Sequence, residues 1–144
     1  MAVEKGDARP IRTESDVVAA RQAVRGWAVE AGFSLIDQTK LVTAASELAR
    51  NTLVHGGGGA MRMELLSHGG RRGIRLVFED QGPGIPDVEQ ALRDGYSSGS
   101  GLGMGLPGTR RLMDEMEIDS APGRGTLVTI RKWLPPVRYP ARGR

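Results

Sequence analysis

The chain has no cysteine and two histidines, His55 and His68, in 144 residues. Disulfides and thiolate metal sites are therefore excluded, and a histidine metal cluster has too few ligands. No run of ~18 consecutive apolar residues occurs, so no helix spans a membrane. The start, Met1-Ala-Val-Glu-Lys-Gly-Asp7, lacks the apolar core of a secretion signal. Together these absences read as a cytoplasmic protein with no membrane partner. Gly-Lys-Ser and Gly-Lys-Thr are also missing, which excludes a Walker loop. The only lysines are Lys5, Lys40 and Lys132, none of them in a glycine-rich loop. The motifs of eukaryotic-type kinases are absent as well.

Charge excludes a further class. The formal net charge is +3. All acidic residues lie in 1–134, where basic residues equal them in number; the excess is Arg138, Arg142 and Arg144. A neutral body offers little footprint to a phosphate backbone, so no nucleic-acid partner is expected. The Pro/Arg-rich tail, 135–144, reads as disordered and solvated.

Glycine is abundant: 21 residues, about twice the usual ~7%. Most fall in clusters between Gly56 and Gly108 without a period. That pattern fits neither collagen nor a linker. It marks places where the backbone turns sharply or approaches something closely.

The chain reads as one domain. Residues 1–15 form a leader with a short strand over 9–12. Thr13-Glu-Ser-Asp16 is a capping box opening a helix that ends at Gly32. Ser34, with Asp37 three residues on, opens a second helix with an apolar stripe of Leu41, Ala45, Leu48 and Thr52. Strands follow over 61–66 and 74–80, joined by a glycine–arginine loop. A short helix is predicted over 87–93 and a longer one over 106–115. A final hairpin, 116–120 and 126–134, turns across Pro122-Gly-Arg-Gly125. Segregated helices and strands predict an α+β two-layer sandwich, with three main helices on one face of a mixed sheet.

Three groups of residues carry chemistry. Glu47 and Asn51 are one helical turn apart, at the edge of the buried stripe; they fit a cleft border or a solvated face. Asn51 could hold a magnesium ion, which keeps most of its water and phosphate ligands. Asp80 ends an apolar strand and is followed by Gln-Gly-Pro-Gly84. This fits an ordinary turn, or a carboxylate in a crevice that accepts a hydrogen bond from the amine of adenine. Gly99-Ser-Gly-Leu-Gly-Met-Gly-Leu-Pro-Gly108 leads into a helix and suits phosphate oxygens. Its Gly-x-Gly-x-x-Gly portion is not a dinucleotide fingerprint, because no strand precedes it.

In this order, Ser46-Glu-Leu-Ala-Arg-Asn51, Asp80-x-Gly-x-Gly84 and the later glycine loop resemble the N, G1 and G2 boxes of the GHKL ATP-binding superfamily. Its members share the Bergerat fold and include histidine kinases, topoisomerases and heat-shock chaperones. Within it the sequence is similar to RsbT-like serine/threonine kinases of bacterial sigma-factor regulation. Ala19-Ala-Arg-Gln22, Glu79-Asp-Gln-Gly-Pro-Gly-Ile-Pro-Asp87, Arg111-Leu-Met-Asp-Glu115 and Lys132-Trp-Leu134 extend the likeness over 16–134.

The resemblance implies ATP and Mg2+ as cofactors. Glu47 would be the general base and Asn51 the magnesium ligand. Asp80 would bind the adenine amine, with Gly82, Gly84 and Ile85 shaping that wall and Thr126 supporting it through water. Gly99, Gly101, Leu102, Gly103, Met104, Gly105 and Leu106 would enclose the phosphates, and 95–100 would form a lid. Partners would be STAS-domain substrates and a metal-dependent serine phosphatase, and a homodimer is compatible with the family. The alternative is a non-catalytic anti-sigma factor that uses ATP structurally; Glu47 favours the enzyme. A detached histidine kinase domain fits poorly, since no phosphoacceptor helix lies upstream. A chaperone-like ATPase would need a longer chain. Three features depart from the family pattern: the tail, the glycine run 56–59, and Arg110 with Arg111, which suit a phosphate clamp or a solvated helix face.

Overall fold

The computed structural model describes residues 1–93 and 105–136. Their elements run β1 (Ala2–Ile11), α1 (Glu14–Ala31), α2 (Leu35–Val54), β2 (Gly59–His68), β3 (Arg71–Asp80), α3 (Val88–Ala91), α4 (Gly105–Leu112), β4 (Glu115–Ser120) and β5 (Thr126–Trp133). The strands form one sheet in the order β1-β2-β3-β5-β4. Helices cover one face, so the expected α+β two-layer architecture is found.

Two expectations need correction. The sheet is antiparallel at every pairing, not mixed. The crossover from β3 through α3 and α4 reaches β4, which runs parallel to β3 but one place beyond it. β5 then returns between them, antiparallel to both. The leader is also not a short strand over 9–12: β1 takes ten residues and pairs along β2 from Ala2 to Ile11. It is an edge strand carrying Glu4, Lys5, Asp7 and Arg9, and such charge hides the apolar alternation that marks a strand. The helices number four, of which α3 has only four residues.

Local chemistry explains the helix boundaries. Thr13 Oγ1 accepts the Asp16 N–H while the Asp16 carboxylate accepts the Thr13 N–H, a complete capping box. Gly32 closes α1 in the left-handed conformation. Ser34 Oγ accepts the Asp37 N–H and starts α2. Leu41, Ala45 and Leu48 of α2 are buried against Met61, Met63, Leu76 and Ile130 of the sheet. Each large side chain so buried contributes about 1.5–3 kcal/mol.

The register matters most for the site. Gly59 pairs with Asp80, Asp80 with Thr126, and Thr126 with Ser120. These four residues form one rung across four strands, so their side-chain positions share the helix-covered face. The next rung on that face is Met61, Phe78, Val128 and Ile118. A polar rung thus borders an apolar floor.

Candidate functional site

A cavity of about 270 Å3 opens between the C-terminal half of α2, the polar rung, the loop after β3 and the start of α4. Phe78 and Val128 form its floor. Asn51, Asp80, Gly84, Ile85, Gly105, Leu106 and Thr126, all candidates from the sequence, line it.

Asp80 is held in place from two sides. Its Oδ1 accepts the Gly82 N–H at 2.8 Å. Gly56, just past the end of α2, lies against the same carboxyl: a Cβ built there would come 2.6 Å from Oδ2. Gly82 in turn leaves no room for a Cβ beside the Gly56 backbone, at 2.7 Å. The α2 terminus and the β3 loop therefore interlock around Asp80, which gives the glycine run 56–59 a structural reason.

The opposite side of the loop is anchored by Ser120. Its Oγ accepts the Ile85 N–H at 2.8 Å and lies 2.9 Å from both the Gly125 carbonyl and Thr126 Oγ1. The Gly123 N–H donates to the Pro83 carbonyl at 2.7 Å. Gly84, at φ +82°, faces the Ala121 carbonyl where a side chain would collide.

Not every expected residue reaches the cavity. Gly82 acts behind it, through Asp80. Glu47 is partly exposed, one turn before Asn51 on α2, and does not line the wall. By helix geometry four residues advance ~6 Å, so Glu47 stands at the rim. Gly99, Gly101, Leu102, Gly103, Met104 and the lid 95–100 lie outside the described residues. Helix α4 starts at Gly105, whose positive φ of 69° only glycine adopts readily. It ends at Leu112, earlier than expected, because Glu115 already pairs in β4. Arg110 is exposed, its Nη2 3.4 Å from the Leu92 carbonyl, and does not line the cavity.

Thr52, His55, Gly56 and Ser120 escaped the sequence reading. Thr52 sits on the α2 stripe and satisfies itself by donating to the Leu48 carbonyl at 2.9 Å. It therefore read as core, although it lines the cavity. His55 and Gly56 follow Asn51 at the helix end, where only the fold shows that the chain turns back over Asp80.

Among the described residues no three of His, Cys, Asp and Glu converge to hold a metal. A magnesium ion carried by phosphates needs no such cluster, and the Asn51 amide on the wall fits it.

The family model described as the histidine kinase-like ATPase domain matches residues 11–132. The chain belongs to that family. The serine/threonine-protein kinase RsbT of Bacillus subtilis (strain 168) is 48% identical over 124 residues, covering 86% of this chain and 93% of that one. The anti-sigma F factor of Thermoanaerobacter sp. (strain X514) is 30% identical over 121 residues, covering 80% and 83%. A crystal structure of the RsbU and RsbW domains of a Mycobacterium tuberculosis protein superposes with a TM-score of 0.62 at 20% identity, over 92% of this chain and 34% of that one, a likeness of fold. This histidine kinase-like ATPase is accordingly an ATP-binding serine/threonine-protein kinase of the partner-switching kind. No described helix is long and apolar enough to cross a membrane.

Proposed function

We propose that this kinase transfers the γ-phosphate of ATP to a serine of a STAS-domain partner, with Asp80 at the base, Asn51 at the phosphates and Glu47 at the acceptor. One observation carries the reading: Asp80 and Asn51 line a single cavity with an apolar floor. The floor of Phe78 and Val128 suits a flat base, and Asp80, flanked by glycines, suits its exocyclic amine. The N-terminus of α4 opens at the same cavity through Gly105 and Leu106, so its free amides can meet phosphate oxygens. Asn51 would hold a magnesium ion that neutralises charge on the phosphates as they separate.

In the transfer, the serine oxygen attacks the γ-phosphorus in line with the β–γ bridge. The bond to the bridging oxygen breaks, ADP leaves, and the hydroxyl proton passes to Glu47. Such a reaction depends on positioning and charge more than on covalent catalysis. A base at the rim suits an acceptor that arrives from another protein. We extend the reading, on the family resemblance, to binding a metal-dependent serine phosphatase.

The test is incubation with radiolabelled ATP and STAS-domain proteins of the same bacterium, read by the residue labelled. One serine or threonine should be labelled by the wild type and not by Glu47→Ala. Full labelling by Glu47→Ala would remove Glu47 from its role, and no labelled STAS domain would remove the substrate class.

A further inference from the structure

One face of the sheet carries no helix, and the described part of the chain ends beside it. β5 closes at Trp133. Leu134 then donates its N–H to the Arg72 carbonyl at 2.8 Å, and its own carbonyl accepts Arg71 Nε at 3.2 Å. Pro135 and Pro136 follow, both exposed. The next eight residues, Val137-Arg-Tyr-Pro-Ala-Arg-Gly-Arg144, include three arginines and no acid. The kinase reading gives them no task.

Charge around this exit is lopsided. On the β3 side stand Arg71 and Arg72, both exposed. On the β4 side the Asp114 carboxylate accepts the Trp133 N–H at 2.7 Å, and Glu115 accepts the Trp133 Nε1–H at 3.3 Å. From there β4 runs away from the exit. Glu115, Glu117 and Asp119 alternate along it, all exposed and all on the uncovered face. Arg131 of β5 answers Glu115 and Glu117. Asp119 has no ion pair among the described residues. Beside this row β5 presents Leu127 and Thr129, both half-buried.

Spacing completes the match. Glu115 and Asp119 are four residues apart, and so are Arg138 and Arg142. In extended chains both pairs span ~13 Å. A segment that turns back at Pro136 meets β4 in that order, Arg138 by Glu115 and Arg142 by Asp119. Pro140 then falls opposite Glu117, which Arg131 already neutralises. An exposed ion pair is weak by itself. A short tether, however, raises the local concentration of the segment to roughly the millimolar range. Pro135, Pro136 and Pro140 also reduce the freedom lost on docking.

We propose that the uncovered face of the sheet along β4 is a docking surface for the chain's own segment 137–144, held by Arg138 and Arg142. The segment is a strap over an edge strand whose backbone is otherwise open to pairing with another chain. It needs no nucleotide, so it stands whether or not Asp80 binds adenine.

The chain has no cysteine, so Ala141→Cys in the full chain carries a nitroxide at one site. Broadening of backbone amide signals then locates the segment. Docking predicts the strongest broadening at residues 118–120, the end of β4 far from the exit. A segment held by its tether alone would broaden Asp114 and Trp133 most, and that pattern overturns the proposal. Asp119→Arg should move the broadening to the exit, and adding Arg142→Asp should bring it back. A pattern that neither change moves also overturns the proposal. If Asp119→Arg does not fold, Arg142→Asp alone answers the question. At ~1 M salt, where the screening length falls to about 3 Å, broadening at Ser120 should drop several-fold. Mixing the nitroxide chain with an isotope-labelled chain lacking it reads contacts between copies. No broadening there supports the strap. Broadening as strong as within one chain makes the occupant a second copy and overturns it.

Discussion

Gly56 leaves no space between its Cα and the carboxyl of Asp80: a methyl group there would come 2.6 Å from Oδ2. Nothing flexible separates them, and Gly82 closes the other side. Gly56→Ala must therefore move Asp80 or the end of α2. ATP affinity should fall at least tenfold while the melting temperature changes by only a few degrees, because Gly56 is outside the core. Calorimetric titration beside a thermal melt checks this, and an unchanged affinity would remove the steric argument.

Glu47 and Asn51 should separate by kinetics. Glu47 stands at the rim, so Glu47→Gln should keep ATP binding and lose transfer by about 10²–10⁴-fold, the scale of a general base. Asn51 lines the cavity, so Asn51→Ala should lose magnesium-dependent ATP binding itself. Binding and single-turnover transfer, measured on both variants, decide the matter. Equal loss of binding in the two would contradict separate roles.

Lys132 should prove structural. Its side chain is 8% exposed; Nζ donates to the Leu112 carbonyl at 3.1 Å and lies 3.7 Å from Asp37. It thereby ties the first turn of α2 to the C-terminal end of α4, where a cation complements the negative end of the helix dipole. Lys132→Met strips both partners and should cost about 1–3 kcal/mol. For a chain of this size the melting point should drop by roughly 3–8 °C. A melt unchanged from wild type would show that the tie contributes nothing.

On the uncovered face of the sheet, Glu64 binds Arg75 at 2.6 Å. The hydrogen bond from Arg75 holds its carboxyl below the ordinary value near 4.5, with burial opposing. A carboxyl depressed in the folded state adds stability that is fully present above the unfolded value. That stability is lost as pH falls through the lowered one. Urea unfolding between pH 6 and 3 should show this loss, and Glu64→Gln should flatten it. A variant with the same acid slope as wild type would assign the slope to other carboxylates.

How much of this was legible depends on the range of the interaction. The caps at Thr13 and Ser34 were read correctly because a cap is settled within four residues. The place of Asp80 at the end of β3 was legible because an apolar strand ending in a carboxylate and glycines is again a local pattern. β1 was mostly missed because its strand character comes from β2, which is 48 residues away along the chain even at the pairing of Ile11 with Gly59. The number of places between Ser120 and Asp80 along the chain says nothing of the rung they share. Antiparallel order likewise depends on where β5 inserts, which no local pattern states. Gly56 was noticed as a departure from the family pattern, but its reason lies in a carboxyl from another element.

The rung of Gly59, Asp80, Thr126 and Ser120 has a bearing on what the gene can tolerate. Residues on a strand alternate between faces, so sliding one strand by a single place turns its whole set over. The Gly69-Gly70 turn that fixes β2 against β3 sits at the far end of two ten-residue strands, roughly 30 Å from the carboxylate. One codon inserted in that turn, in a surface hairpin that looks expendable, forces a choice between absorbing the extra residue as a bulge and sliding the strand, and sliding would send Asp80 out to the uncovered side. The remote hairpin is in that sense part of the reading frame of the active site.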